Sequence, residues 1–313
     1  MVWVGAGTAV ATAPAAGADP ASTAHITDIV PMSDTLSRVY VDTPEMGSVQ
    51  VLVSTPRDRD ASRPTLYMLD GGRAYGDGSW LRQGRAMNVI EGKPVNVVFT
   101  LGGAGSYFTD WERTDPGLGV NKWETFLTRE LPPLIDAAFE GNGIDAIAGV
   151  SMGAQGAMML AERAPRLYRG VAAYSGCYTS TGVEGQAQMR GVVTGLGGDP
   201  GNMFGGPADP AWADHDVLAH ADALRGKDIY VSVGNGVLSD YEAAESARIG
   251  EVLALGVPIE LAAHQCTVQF ADRLGELGIP ATTNFRSHGT HIWAYWADDF
   301  ADSWPVLARA LRL

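Results

Sequence analysis

Ser151 lies in Gly149-Val150-Ser151-Met152-Gly153, where the apolar run 144–150 passes into the helix-forming stretch 157–163, which Ala164-Pro165 ends. Gly-x-Ser-x-Gly at a strand-to-helix junction is the layout of a nucleophile elbow. Such a turn presses backbone against strand and helix, leaves no room for side chains at the two glycines, and holds the serine outward. The chemistry open to that serine is attack on an acyl carbon. Its hydroxyl is a weak nucleophile at neutral pH and needs a base within hydrogen-bond reach, normally a histidine that a carboxylate orients. In a chain with 39 glycines the pentapeptide alone carries little weight; the strand before it and the helix after it supply the rest.

The order serine, acid, histidine along the chain restricts the base to His215, His220, His264, His288 or His291. The irregular stretch 287–293 follows an expected strand at 281–285 and can overhang the serine, which favours His288 and His291. Spacing alone does not choose between those two. For the acid, Asp240 falls shortly after an expected strand at 229–233, where a triad carboxylate commonly lies, and Glu242, Glu245, Glu251 and Glu260 are alternatives.

The elements that must position these groups follow from periodicity. Apolar, Val-rich runs at 49–54, 65–69, 95–101 and 229–233 predict strands, and 123–139 has apolar residues at helical spacing, broken at Pro132-Pro133. Strands alternating with helices predict an α/β fold, a mainly parallel sheet covered on both faces, with chemistry at the carboxyl ends of the strands. Asp70-Gly71-Gly72-Arg73, Gly102-Gly103-Ala104-Gly105 and Gly234-Asn235-Gly236 fall at those ends. The Gly-rich segment 179–210 shows little periodicity and is expected to form a lid or wall of the cleft.

A chain of 313 residues, 46% hydrophobic and 19% charged, can bury one large core, and residues 19–313 are expected to form a single catalytic domain. A formal charge of −14 with scattered Lys and Arg argues against nucleic acid and against an anionic membrane surface. Residues 2–16 are apolar but too short to span a bilayer, and Ala16-Gly17-Ala18 fits a signal-peptide cleavage site, so 1–18 reads as the remnant of a leader and the mature protein as exported without a transmembrane segment. Cys177 and Cys266 are the two cysteines, and no Cys/His cluster has metal-ligand spacing. Neither metal nor cofactor is expected; in an exported chain one disulfide is.

Seven blocks together resemble the secreted mycolyltransferases: the mycobacterial antigen 85 complex and, more closely, the corynebacterial trehalose corynomycolyltransferases. They are Tyr67-Met-Leu-Asp-Gly-Gly-Arg73, Gly102-Gly-Ala-Gly-Ser-Tyr-Phe-Thr-Asp-Trp111, Lys122-Trp-Glu-Thr-Phe-Leu-Thr-Arg-Glu-Leu131, the elbow, Asp209-Pro-Ala-Trp212, Gly234-Asn-Gly236 and Gly289-Thr-His-Ile-Trp-Ala-Tyr-Trp296. They run in the family's order through most of residues 35–305.

The resemblance implies an α/β-hydrolase fold with Ser151 as nucleophile, His291 as base and Glu260 as acid. The backbone N–H groups of Gly72 and Met152 would form the oxyanion hole, and Asp70, Arg73 and Trp293 would bind sugar. It implies a glycolipid substrate, trehalose mycolate, and a sugar acceptor: a second trehalose ester or an arabinan hydroxyl. A secreted carboxylesterase or polyesterase, with water as acceptor, is the alternative. Two departures stand out. The family usually has leucine where this chain has Gly72. Its mycobacterial members carry two cysteines between the equivalents of Trp111 and Lys122, whereas here Cys177 and Cys266 would cross-link the region around the site.

Overall fold

The computed structural model describes residues 24–58, 61–244 and 246–313; the expected leader, residues 1–18, lies outside them. Among the described residues the strands are β1 (His25–Pro31), β2 (Leu36–Thr43), β3 (Gly47–Ser54), β4 (Arg63–Leu69), β5 (Asn96–Leu101), β6 (Gly141–Val150), β7 (Tyr168–Tyr174), β8 (Asp228–Val233) and β9 (Thr282–Phe285). They make one sheet in the order β1-β2-β3-β5-β4-β6-β7-β8-β9. Pairings from β1 to β5 are antiparallel, and those from β5 onward are parallel. This is the mainly parallel α/β sheet expected from the alternation of strands and helices, in the α/β-hydrolase arrangement that the resemblance implies.

Burial explains which strands are central. β4 and β5 are buried along their whole length and carry side chains into both faces, as a strand covered by helices on each side must. Tyr67, Val98 and Ile147 face a core closed by Phe126, Leu131 and Met158, while Leu66, Val97 and Ala146 face a second one closed by Trp296, Phe300 and Leu307. The edge strand β1 is largely exposed.

Topology fixes where a site can form. From β4 the chain crosses to β5 on one side and then to β6 on the other, so the connections diverge above the carboxyl ends of β4 and β6, the crevice that open α/β sheets use for ligands. Asp70 follows β4 and Ser151 follows β6. Leu69 pairs with Gly149, which brings the two loops together.

Two helical regions depart from the periodic reading. Residues 123–138 do not break at Pro132-Pro133; Trp123–Thr125 runs through a wide π turn, Phe126–Glu130, into Leu131–Ala138. A proline lacks an N–H and its ring crowds the carbonyl four residues back, and a widened turn just upstream relieves that crowding. The same device, a π turn at Val252–Gly256, precedes Pro258 in the helix Val257–Glu276. The Gly-rich segment is largely helical rather than irregular, forming Gly182–Gly195 and Pro200–Phe204. Burial of Met189 and Val193 supports that helix where glycine content opposes it. Val192 and Leu196 lie against Gly72, so the segment backs the Asp70–Arg73 loop, but none of its residues lines the cleft at Ser151 as a lid or wall would.

Cys177, just past β7, is bonded to Cys266 in the helix Val257–Glu276, 89 residues away in sequence. No helix of the described residues is long and apolar enough to cross a membrane. Closing so long a loop restricts the denatured chain, so Cys266→Ala in the oxidised protein should lower the unfolding free energy by about 2–4 kcal/mol. Urea unfolding followed by tryptophan fluorescence measures this, and a midpoint unchanged from the parent protein would contradict it.

Candidate active site

Ser151 joins β6 to the helix Met152–Arg163 with φ 54° and ψ −120°, a conformation few non-glycine residues adopt. The flanking glycines make it attainable. A Cβ on Gly149 would fall 2.1 Å from the Gly153 carbonyl oxygen, and one on Gly153 would fall 2.3 Å from that of Asp70. The Ser151 N–H donates to the Tyr174 carbonyl at 2.8 Å, which ties the turn to the end of β7.

His291 Nε2 lies 2.7 Å from Ser151 Oγ, and His291 Nδ1 lies 2.7 Å from Glu260 Oε2. A carboxylate only accepts, so Nδ1 carries the proton and Nε2 is free to accept from the serine hydroxyl. The ring is also held by Trp296, edge to face at 4.8 Å. Its loop is fixed by His291 N–H to the Gly256 carbonyl (3.2 Å) and by Thr290 Oγ1 donating to Glu242 (2.6 Å).

Glu260 is fully buried although it sits in the first turn of its helix, a position that reads in sequence as an exposed helix start. Its Oε1 accepts from the Gly234 N–H (2.6 Å) and the Ser175 hydroxyl (2.8 Å). Burial pushes its pKa up, but the hydrogen bond and charge of His291 and the donors Gly234 and Ser175 outweigh that, leaving it below the ordinary carboxylate value.

The remaining candidates are elsewhere. His264 Nδ1 meets the Gly234 carbonyl, His288 packs near Tyr295, His215 stacks on Phe204, and His220 contacts the Ala213 carbonyl. Asp240 is exposed at the start of a short helix. Glu242 is buried beneath Tyr295 and Thr290, and Glu251 faces Arg73 and Arg248. Glu245 lies outside the described residues.

A cleft of about 640 Å³ joins Ser151 and His291 to Asp70, Gly72, Arg73 and Trp293. Gly71 packs against Ser151, and Met152 opens the elbow helix, where backbone N–H groups have no intrahelical partner. Asp70 Oδ1 accepts from the Gly71 N–H (2.8 Å) and Oδ2 from the Ser79 hydroxyl (2.6 Å); burial lifts its pKa to about 6 against those bonds. Arg73 is open to solvent, 61% exposed, hydrogen-bonded to Tyr75 (3.1 Å) and 3.8 Å from Glu251 rather than stapled to Asp70. Trp293 is wedged edge-on between Trp80 and Trp296. A larger cavity, about 770 Å³ beside Pro56, Lys93 and Arg312, opens at the other end of the parallel strands, away from Ser151.

Sequence reasoning missed Ser175, Ser79 and Arg286. Ser175 carried one usable signal, a polar residue directly after the apolar run 171–174; the others had none, because Ser79 meets Asp70 only through the irregular loop between them and Arg286 meets Glu260 only through the packing of β9 against the helix Val257–Glu276.

The model of the family described as putative esterase matches residues 46–307. The chain is 31% identical over 263 residues to the diacylglycerol acyltransferase/mycolyltransferase Ag85B of Mycobacterium leprae, covering 79% of this chain and 76% of that one. The chain belongs to this esterase family, in its mycolyltransferase branch. It is also 31% identical over 261 residues to Ag85A of Mycobacterium tuberculosis, with 80% and 75% covered. Among solved structures, Mycobacterium tuberculosis MPT51 (FbpC1) superposes with a TM-score of 0.72 at 25% identity, covering 87% of this chain and 99% of that one. An S-formylglutathione hydrolase of Agrobacterium tumefaciens shares the fold at a TM-score of 0.66 and 15% identity, with 92% and 99% covered. The protein is an enzyme of the acyltransferase and esterase type.

If Glu260 orients the base, Glu260→Gln should lower ester turnover by about two to four orders of magnitude while Asp240→Asn leaves it within about twofold, since only the former faces the imidazole. Steady-state hydrolysis of a nitrophenyl ester compares them, and the reverse ranking would return the role to Asp240.

Proposed function

We propose that the protein is an exported acyltransferase whose single catalytic domain spans residues 19–313 behind a leader at 1–18, and which moves a mycolyl chain between trehalose esters or onto a cell-wall arabinan hydroxyl. The observation that carries this reading is the composition of the cleft: a serine and histidine in contact, with a carboxylate, a guanidinium and a tryptophan lining the same space. Those three groups suit a pyranose, which offers vicinal hydroxyls to charged partners and an apolar face to an indole.

In this mechanism Ser151 Oγ attacks the ester carbonyl while His291 Nε2 takes its proton. The developing oxyanion is held by the Gly72 and Met152 N–H groups, and the imidazolium by Glu260. Collapse of the tetrahedral intermediate breaks the bond to the sugar oxygen, and His291 returns the proton to it, releasing trehalose. A second sugar hydroxyl, deprotonated by His291, then attacks the acyl-serine and regenerates the enzyme. With water in place of that hydroxyl the same steps give hydrolysis. The solvent-open position of Arg73 favours some hydrolysis alongside transfer, because the cleft is not sealed.

Arg73 separates the two readings. If its guanidinium holds sugar hydroxyls, Arg73→Ala should weaken diester formation from a short-chain trehalose monoester by about tenfold to a hundredfold, the range for hydrogen bonds involving a charged group, and leave hydrolysis of a nitrophenyl ester nearly unchanged. Mass spectrometry of diester against free acid reads both products. Equal losses on both substrates would mean that Arg73 only supports the Gly72 loop, and hydrolysis would become the better account.

A further inference from the structure

Arg286 leaves the carboxyl end of β9 and turns inward beneath His291 and Glu260 instead of out to solvent. Its N–H donates to the Val233 carbonyl at 2.9 Å, which pins it to the end of β8, and its side chain is 10% exposed. Nη2 lies 3.5 Å from Glu260 Oε1, Nη1 is hydrogen-bonded to Asp299 Oδ2, and the guanidinium sits over the Tyr295 ring, 5.1 Å from its centroid. Asp299 is buried on the helix Trp293–Leu311, which begins two residues after His291. Five side chains from five parts of the chain thus touch in succession: Asp299, Arg286, Glu260, His291 and Ser151.

We propose that Arg286, clamped by Asp299, is a positioning residue that sets the pH range over which His291 serves as base, by sharing the Glu260 carboxylate with it. This rests on the reading of Ser151, His291 and Glu260 given above. His291 binds Oε2 and Arg286 approaches Oε1 of the same buried group. The charge of Glu260 favours a protonated imidazole; the charge of Arg286 opposes one, both directly and by neutralising Glu260. Asp299 limits how much of that positive charge reaches Glu260. The two residues therefore act on His291 in opposite senses, and burial leaves both effects weakly screened.

The other titratable groups around them are acids and two histidines: His288 packs against Tyr295, and His264, one turn after Glu260, meets the Gly234 carbonyl and the Phe285 ring. Tyr295 lies under the guanidinium and bonds Glu242, Tyr230 of β8 and Tyr174 of β7 face Asp299, and Asp302 lies one turn beyond it. Burial lifts Asp299 to about 6 against the pull of Arg286, so its charge is complete only above that value. No role in substrate contact is needed for Arg286, which is absent from the lining of the cleft.

The test is the pH profile of kcat/KM for nitrophenyl butyrate hydrolysis by the intact enzyme, from about pH 5 to about pH 9, in Arg286→Lys, Arg286→Met and Asp299→Asn, with Glu260→Gln run alongside. Arg286→Met should lower kcat about tenfold with little change in KM, and move the acidic limb to higher pH by about half a unit. Arg286→Lys keeps the charge and should hold the limb near its parental position. Asp299→Asn unmasks the guanidinium and should move the limb to lower pH. Displacements of opposite sign are not what a loosened loop produces. Limbs that coincide in all variants, or that move the same way in Arg286→Met and Asp299→Asn, overturn the proposal. If Arg286→Met fails to fold, as judged by its thermal melt, the Asp299→Asn limb and the midpoint of the His291 ring titration by NMR decide instead, and an unshifted pair overturns it. Parental turnover in Glu260→Gln would bring down the assignment of the acid; collapse of Glu260→Gln with unmoved limbs in the others would bring down the role of Arg286 alone.

Discussion

A carboxylate sealed from water has to find all of its stabilisation inside the protein, and the fully buried Glu260 is the group around which the rest of this site is arranged. Leaving such a charge unpaired costs several kcal/mol, more than any one hydrogen bond recovers. Its partners come from the carboxyl ends of three adjacent strands: Ser175 after β7, Gly234 after β8 and Arg286 after β9. The fourth, His291, comes from the loop beyond β9. Parallel pairing puts those strand ends at one level, so the register of the sheet is also the registration of the donors. Shifting β9 by one residue would turn Arg286 to the other face and leave Glu260 short of its cation.

The serine is positioned by a separate constraint, steric rather than electrostatic. Gly149 and Gly153 allow the elbow to fold back until its backbone touches that of Asp70 at the end of β4, and the Tyr174 carbonyl fixes its depth. The two halves of the site are then joined through the end of β7, where Tyr174 accepts from Ser151 and the next residue, Ser175, donates to Glu260. Ser175 also accepts from Trp296, whose ring packs against His291. A single strand end thus holds Ser151, Glu260 and the tryptophan against which His291 packs.

These two constraints explain what was legible in the sequence. The elbow is local, five consecutive residues with a strand before and a helix after, and it could be read directly, as could the Val-rich central strands. Choosing His291 over His288 and Glu260 over Asp240 needed the family resemblance, because residues 260 and 291 meet only through the register of β8 and β9. Glu260 even reads as an exposed first-turn glutamate; its burial follows from the π turn at Val252–Gly256 and from the Cys177–Cys266 bond that holds its helix against the end of β7. Arg286 and Asp299 had no signal at all, since an arginine after a strand and an aspartate beside another in an amphipathic helix are ordinary surface patterns. The helix Gly182–Gly195 was misread for the complementary reason: its glycines obscure a periodicity that tertiary packing of Met189 and Val193 enforces.

The divide between transfer and hydrolysis falls on residues that neither constraint governs. Triad and elbow are tied to strand ends and cannot vary much without losing the buried charge or the turn. The part of the cleft away from the triad is lined by the Asp70–Arg73 loop and Trp293, with Val192 and Leu196 behind Gly72; Asp70 is locked by two hydrogen bonds to its own loop, and Arg73 is held by a single one to Tyr75. With glycine at position 72, that loop has contact with Val192 and Leu196 but no side chain of its own that would exclude water from the acyl-serine of the proposed mechanism. Under the transfer reading proposed above, acceptor choice would depend on how closely Arg73 approaches a bound sugar, because the triad would treat a sugar hydroxyl and a water molecule alike once either reached His291.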